Sequence, residues 1–394
     1  MRILHLSHDG LPDWRVEKTA LSASLRGHHV AFGGTKPIND ITKLFSKVYD
    51  IDWGESAKFG IPLSLHYVKK QIEKIIRDEK PDIVHAHNIY SAKIISEFGI
   101  PFVYDDHEYT SAFAKALAEP VKLNDVNYRK TLKSTSPTLI NKTKKLARKL
   151  AWNHVFKYRA VKLWIKWEEE ILSSTCPIIV TTGNVARELR SRRSAVDRVF
   201  VVPNFPMKME CKNLQRPFFH SKLSSVYAGR EPLNSIGIHA HRNLDGMLDI
   251  FTNREIGPLI MIGGGNGEST EKIKNLGFLP TRQSMYAEMM KHSIGLMAWK
   301  KHWYHKYNSA NKAYEYTHAG LYVMCTSSFT SMIDSFKGNC GVFEDYSDLA
   351  SQLQHYTHNP EELYKKRLKS FEFARNNLVW EKYENNIFRA YQLC

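Results

Sequence analysis

Cysteine is scarce and unpatterned in this chain. Five cysteines in 394 residues, at positions 176, 211, 325, 340 and 394, form no C-x-x-C pair. An odd, scattered set suits a reducing compartment and argues against a disulfide framework. Glycine (21) and proline (15) are too few for collagen-like or low-complexity sequence. No stretch approaches the ~18 consecutive apolar residues of a membrane-spanning helix. The first ten residues run into His and Asp, so a first strand is expected there and a signal peptide is not. No helix-turn-helix, zinc-finger or RNP-like pattern is present, and no Walker loop. What remains, with 43% hydrophobic and 24% charged residues, is an ordinary folded chain. Its length implies two domains or three small ones, at ~100–200 residues each.

Acidic residues are missing from one long segment. Residues 129–166 hold twelve Lys or Arg and no Asp or Glu, which accounts for most of the net charge of +16. Apolar residues are interleaved with these cations. Lys142, Lys145 and Lys149 fall on one helical stripe and Arg159, Lys162 and Lys166 on another, and the interleaved apolar residues include Trp152 and Trp164. A basic amphipathic helix with tryptophans suits an anionic membrane surface. The rival readings are a solvated helix packed on its own domain and, more remotely, a nucleic-acid contact.

Short apolar runs alternate with helical stretches along the chain, the pattern of parallel α/β structure. Strands are expected at 2–7, 29–33, 82–87, 102–106, 178–182 and 199–202, and again at 224–228, 259–262, 294–298, 322–326 and 341–343. A linker-like stretch, 205–223, separates the two series. The expected architecture is therefore two Rossmann-like, doubly wound domains facing across a cleft. The expected boundaries are 1–205, 206–375 and 376–394. Ligands of such domains bind at the carboxyl ends of the strands.

The motifs cluster at those ends. His85 and His87 are two apart on one strand and project from one face. A metal there needs a third ligand, and none is convincing in the nearby sequence, so no metal is expected. Asp105, Asp106, His107 and Glu108 close the next strand. His107 is the candidate to accept a hydrogen bond from substrate or to steady developing charge. Gly263, Gly264 and Gly265 follow a strand and permit close backbone approach to a ligand, although their spacing is not a dinucleotide fingerprint. Asn308, Ser309, Ala310, Asn311 and Lys312 lead into a helix, with Asn308 or Ser309 expected as N-cap. The free N–H groups of such a start suit a diphosphate. Glu315, about a turn further in, can bind vicinal hydroxyls. Arg230 and Arg242 end a strand and a loop, where they can neutralise the same diphosphate.

Together these residues resemble the retaining glycosyltransferases of group 1 (family 4), with the GT-B fold. The likeness runs over nearly the whole chain: His8-Asp9 and Asp13-Trp14-Arg15-Val16, then Pro81-Asp82-Ile83-Val84-His85-Ala86-His87, Tyr104-Asp105-Asp106-His107-Glu108, Val201-Val202-Pro203-Asn204, Tyr227-Ala228-Gly229-Arg230, Gly277-Phe278-Leu279-Pro280 and Asn311-Lys312-Ala313-Tyr314-Glu315-Tyr316. The resemblance implies that His107 lies beside the transferring sugar and that Arg230, Arg242 and Gly264 line the donor diphosphate. It implies that Phe278 and Leu279 hold the base and that Glu315 binds the ribose, His107 and Glu315 forming the catalytic pair. It also implies that 1–205 binds acceptor, through Asp9, Asp13, Arg15 and His87, that 206–375 binds the sugar nucleotide, and that 376–394 is a helix returning to the first domain. The family's first glutamate is replaced here by Tyr307, eight positions before Glu315.

The expectation is an enzyme that moves a sugar from a nucleotide-sugar donor to an acceptor hydroxyl with retention of configuration, with no cofactor or metal. The acceptor is expected to be a lipid-linked or cell-surface saccharide, and the location the cytoplasm, peripherally on the inner face of the cell membrane. A sugar-nucleotide epimerase of the same fold and a catalytically silent membrane-associated scaffold are the alternatives.

Overall fold

The computed structural model describes residues 1–35, 43–119, 157–229, 240–263 and 269–394. They form two compact units. The first takes in the described residues up to Ala118, those from 157 to Pro203, and Tyr383–Cys394; the second is built on Asn204–Lys382. No helix among the described residues is long and apolar enough to cross a membrane.

The first unit holds seven strands: β1 (Arg2–Gly10), β2 (His29–Thr35), β3 (Lys47–Asp50), β4 (Ile83–His87), β5 (Phe102–Asp106), β6 (Ile178–Val180) and β7 (Val199–Val201). The second holds β8 (Ser225–Ala228), β9 (Leu259–Ile262), β10 (Ile273–Asn275), β11 (Ile294–Met297), β12 (Tyr322–Thr326) and β13 (Gly341–Phe343). The sheet orders are β3-β2-β1-β4-β5-β6-β7 and β10-β9-β8-β11-β12-β13. Every pairing is parallel. Both orders step outward from the first strand and then jump to its other side, which makes β1/β4 and β8/β11 the switch points where doubly wound sheets bind ligands.

Helices cover both sheets because the central strands are buried on both faces: β4, β8, β9, β11 and β12 are buried at every position. The helix Trp14–Leu25 starts at Asp13, whose carboxylate accepts from the N–H groups of Arg15 and Val16. The last helix, Asn385–Gln392, belongs to the first unit and buries Ile387, Phe388, Ala390 and Tyr391 there. Trp380, just before it, is fully buried and donates its backbone N–H to Pro206 within the second unit.

In the second unit the helix Asn311–His318 is pressed against β11. A Cβ added at Gly295 would lie 2.4 Å from the Tyr316 ring. The Tyr316 hydroxyl accepts the Ala228 N–H at 2.6 Å. Only glycine at 295 lets the helix sit this close, and that closeness fixes where Lys312 and Glu315 emerge.

Candidate functional site

In the first unit the parallel register sets His5 beside His85 and His87 beside Asp105. Side chains on strands alternate faces, so these four residues share one face at the β1/β4 switch point. His5, His85, His87 and Asp105 are all buried, while His107 keeps 19% of its side-chain surface exposed. His5 Nδ1 lies 3.0 Å from His87 Nε2, and His87 Nδ1 lies 3.1 Å from His107 Nε2. The three rings form a hydrogen-bonded row. His85 meets the Tyr391 hydroxyl at 2.7 Å and Asp105 at 3.2 Å.

Arg15 anchors the row. Its guanidinium donates to Asp105 through Nε at 2.9 Å and Nη2 at 2.7 Å, and through Nη1 to the Val202 carbonyl at 2.8 Å. Burial alone raises a carboxyl pKa, but Arg15 and His107 outweigh it and hold Asp105 well below the usual carboxylate range. Burial, reinforced by neighbouring imidazoles, keeps His5 and His87 neutral. Burial also lowers His85, against the pull of Asp105. His107 goes the other way. Burial opposes its charge, yet the Asp105 carboxylate raises its pKa. The result is an imidazole biased toward the charged form at the carboxyl end of β5. Asp106 points to the opposite face, where burial and then the nearby Glu168 carboxylate push its pKa up to about 7.

In the second unit two cations meet over one indole. Lys312 Nζ lies 4.9 Å from the Trp299 ring centroid and 4.7 Å from that of Tyr227, and the Arg242 guanidinium lies 5.5 Å from Trp299. Trp299 donates Nε1–H to the Tyr227 hydroxyl at 2.8 Å, which locks this aromatic shelf. The quadrupole of an aromatic face attracts a cation placed over it. Glu315 is mostly buried and accepts from Arg282 Nη2 at 2.7 Å; Arg282 Nη1 reaches Glu210 at 2.7 Å. Gly263, with φ of +86°, and Gly277 are joined by a 2.6 Å backbone hydrogen bond, which draws the loops after β9 and β10 together.

The structure thus gathers Arg242 and Lys312 on Trp299, and His87, Arg15 and His107 around Asp105. Arg230, Gly264, Lys142, Lys145, Lys149 and Trp152 lie outside the described residues. Arg15 and His87, expected on the acceptor, are buried and engaged inside the unit. Asp9 is exposed and paired with His8, and Asp13 caps a helix. Phe278 is 71% exposed and Leu279 half-buried. Two expectations need correction. Ala310, not Asn308 or Ser309, is the N-cap of Asn311–His318, with no side-chain cap bond; the Ser309 hydroxyl pairs with that of Tyr314 at 3.3 Å instead. Trp164 is no membrane anchor: it is 9% exposed, donates to the Lys58 carbonyl at 2.9 Å and packs edge-on against Tyr90. Arg159 and Lys162 stay exposed on the same helix, Lys157–Leu172. Trp299, Tyr227, His5 and Arg282 were given no site role from the sequence, Tyr227 entering only within a motif. The first two look like core aromatics until the fold sets cations on them.

No protein-family profile matches the chain, and no curated protein matches it. Solved structures do. A sucrose-phosphate synthase from Thermosynechococcus elongatus is 11% identical with a TM-score of 0.67, the match covering all of this chain and 98% of that one. Anabaena Alr3699/HepE in complex with UDP is 10% identical over the full length of both chains, with a TM-score of 0.63. The chain has the GT-B fold. WaaG, a glycosyltransferase involved in lipopolysaccharide biosynthesis, shares it at 12% identity and a TM-score of 0.59, over 99% of each chain.

Proposed function

We propose that this GT-B protein is a retaining glycosyltransferase that takes its sugar from a nucleoside-diphosphate donor, uridine diphosphate being the first candidate. The observation that carries the reading is the shelf in the second unit, where the Arg242 guanidinium and Lys312 Nζ lie over Trp299 beside the start of the helix that bears Glu315. Two cations and a helix N-terminus can neutralise a departing diphosphate without a metal ion. Uridine diphosphate is favoured because it is the ligand of the Anabaena protein with the same fold.

His107 supplies the second element. Its Nε2 is held by His87, while its Nδ1 has no partner among the described residues. A charged imidazole tethered on one side can donate from the other and stabilise charge that develops as the glycosyl bond breaks. No residue of the motifs is a credible enzymic nucleophile, which suits attack by the acceptor hydroxyl on the face the leaving group vacates. The acceptor is a lipid-linked or cell-surface saccharide, and the cations of 129–166 bring the enzyme peripherally to an anionic cytoplasmic leaflet.

A thermal-shift screen against nucleoside diphosphates tests the donor. A ligand at ~100 times its dissociation constant adds ~2.7 kcal/mol of stability, so uridine diphosphate should stand out from the adenine and guanine nucleotides. Equal, negligible shifts for all of them would remove the transferase reading. Turnover of the donor to an epimer in the absence of any acceptor would replace it with the epimerase.

A further inference from the structure

Three donor atoms in the first unit form a triangle of the size an ion requires. His87 Nδ1 lies 3.1 Å from His107 Nε2, and each lies 3.7 Å from Asp105 Oδ2. The circle through three points at those separations has a radius of about 2.0 Å, the length of a bond from zinc to an imidazole nitrogen or a carboxylate oxygen. We propose that His87, Asp105 and His107 form a binding site for a divalent first-row transition ion, held by two imidazoles and one carboxylate. The proposal rests on this ligand geometry and stands or falls independently of the transferase reading.

The donor set selects the class of ion. Two histidines and a carboxylate on one side, with further positions open, suit zinc, cobalt, nickel or iron(II); magnesium and calcium prefer oxygen throughout. A supporting shell is already built. His5 engages the far nitrogen of His87, and His85 and Arg15 hold Asp105. Such outer contacts orient metal ligands. The partial exposure of His107 provides the side from which an ion enters, since His87 and Asp105 are buried.

A deeper trio, His5, His85 and His87, also lies close together. It is the poorer choice, because Tyr391 and Asp105 already occupy both ring nitrogens of His85. Arg15 limits the affinity of the proposed site: its charge beside Asp105 repels a cation. The ion therefore exchanges, and it competes with the proton that His87 and His107 share. An ion seated there takes His107 Nε2 and His87 Nδ1 as ligands, so it replaces the contact between these two rings and fixes the orientation of His107.

Isothermal titration calorimetry of the untagged full chain with Zn²⁺ and Co²⁺ tests this. One ion should bind per chain, more weakly as the pH is lowered, and Mg²⁺ should give no signal. His107→Ala should weaken zinc binding roughly tenfold or more, while His355→Ala, at an exposed histidine of the second unit, should not. Circular dichroism confirms that the variant is folded, and His107→Gln serves if alanine is not tolerated. Zinc should also raise the melting temperature of wild type and leave that of the variant unmoved. Equal zinc affinity in wild type and variant, or no stoichiometric binding to wild type, overturns the site. Nucleotide binding, measured in a separate titration without metal, reports on the transferase reading alone.

Discussion

Arg282→Met should cost about 3–5 kcal/mol of stability, far more than loss of a surface ion pair. The guanidinium sits between two carboxylates, 2.7 Å from Glu210 and 2.7 Å from Glu315, and all three side chains are at most 16% exposed. Two unit charges ~4 Å apart at an effective dielectric of about 20 attract by roughly 4 kcal/mol. Much of that attraction offsets desolvation, so the intact pairs add little net stability. Removing the cation is different. It leaves two mostly buried carboxylates with no counter-charge, and breaking a buried pair this way costs about 3–5 kcal/mol. Glu315→Gln is milder, about 1–2 kcal/mol, because the amide oxygen still accepts from Arg282. Urea unfolding of wild type, both single variants and the double variant closes a cycle. The double variant should lose about 2 kcal/mol less than the sum of the singles, since neutralising position 315 relieves the carboxylate repulsion that loss of the guanidinium exposes. Glu315→Gln should also weaken binding of uridine diphosphate more than of its 2′-deoxy form. A loss under ~1 kcal/mol for Arg282→Met with an additive cycle would show a solvent-screened pair and refute the reasoning.

His107→Ala should depress kcat with little change in donor KM, because a charge that stabilises the transition state is not a ground-state contact; normal turnover with a raised KM would make it a binding residue only. Burial lowers the pKa values of His305 and His318 to about 4. Each is neutral in the fold, so its contribution is complete above the unfolded value of ~6.5 and is lost as pH falls toward 4, by about 1 kcal/mol each between pH 7 and 5.5; denaturant midpoints flat across that range would contradict this. Exhaustive chelation should leave transferase turnover intact, and a loss restored by a divalent ion would show a metal requirement. The protein should co-sediment with anionic vesicles at low salt, and changing Lys142, Lys145, Lys149, Arg159 and Lys162 together to Glu should abolish that binding; equal sedimentation of both proteins would remove the membrane role.

The central strands were legible because each is a short apolar run closed by polar residues. Phe102–Asp106, Leu259–Ile262 and Tyr322–Thr326 fall where the sequence placed them, and so does the edge strand Gly341–Phe343. The edge strands β3 and β10 were not foreseen. Lys47-Val48-Tyr49-Asp50 and Ile273-Lys274-Asn275 carry too few apolar residues to register, since an edge strand buries only part of its surface. The helix Pro62–Glu79 starts six residues before its amphipathic pattern does. Pro62 at its first turn opens it, but the exposed Leu63 and Tyr67 break the stripe that periodicity detects.

The site residues divide along a different line. His107 and Glu315 announced themselves locally, as charge at a strand end and a carboxylate near a helix start. Their partners did not. Arg15 and Asp105 are ninety positions apart, His5 and His87 eighty-two, Arg282 and Glu315 thirty-three. The strand order explains the second meeting, because β1 sits beside β4 and residues of matching parity fall on one face, whereas Arg15 reaches Asp105 on β5 from the start of the helix that follows β1. His5, read alone, is a histidine interrupting an apolar strand. Placed opposite His85, it becomes the end of a row of imidazoles whose other end is His107. A sequence motif can name the residue that faces the substrate, whereas the groups that set its charge are chosen by topology. The titration of His107, more than its presence, is therefore the property on which the proposed chemistry depends.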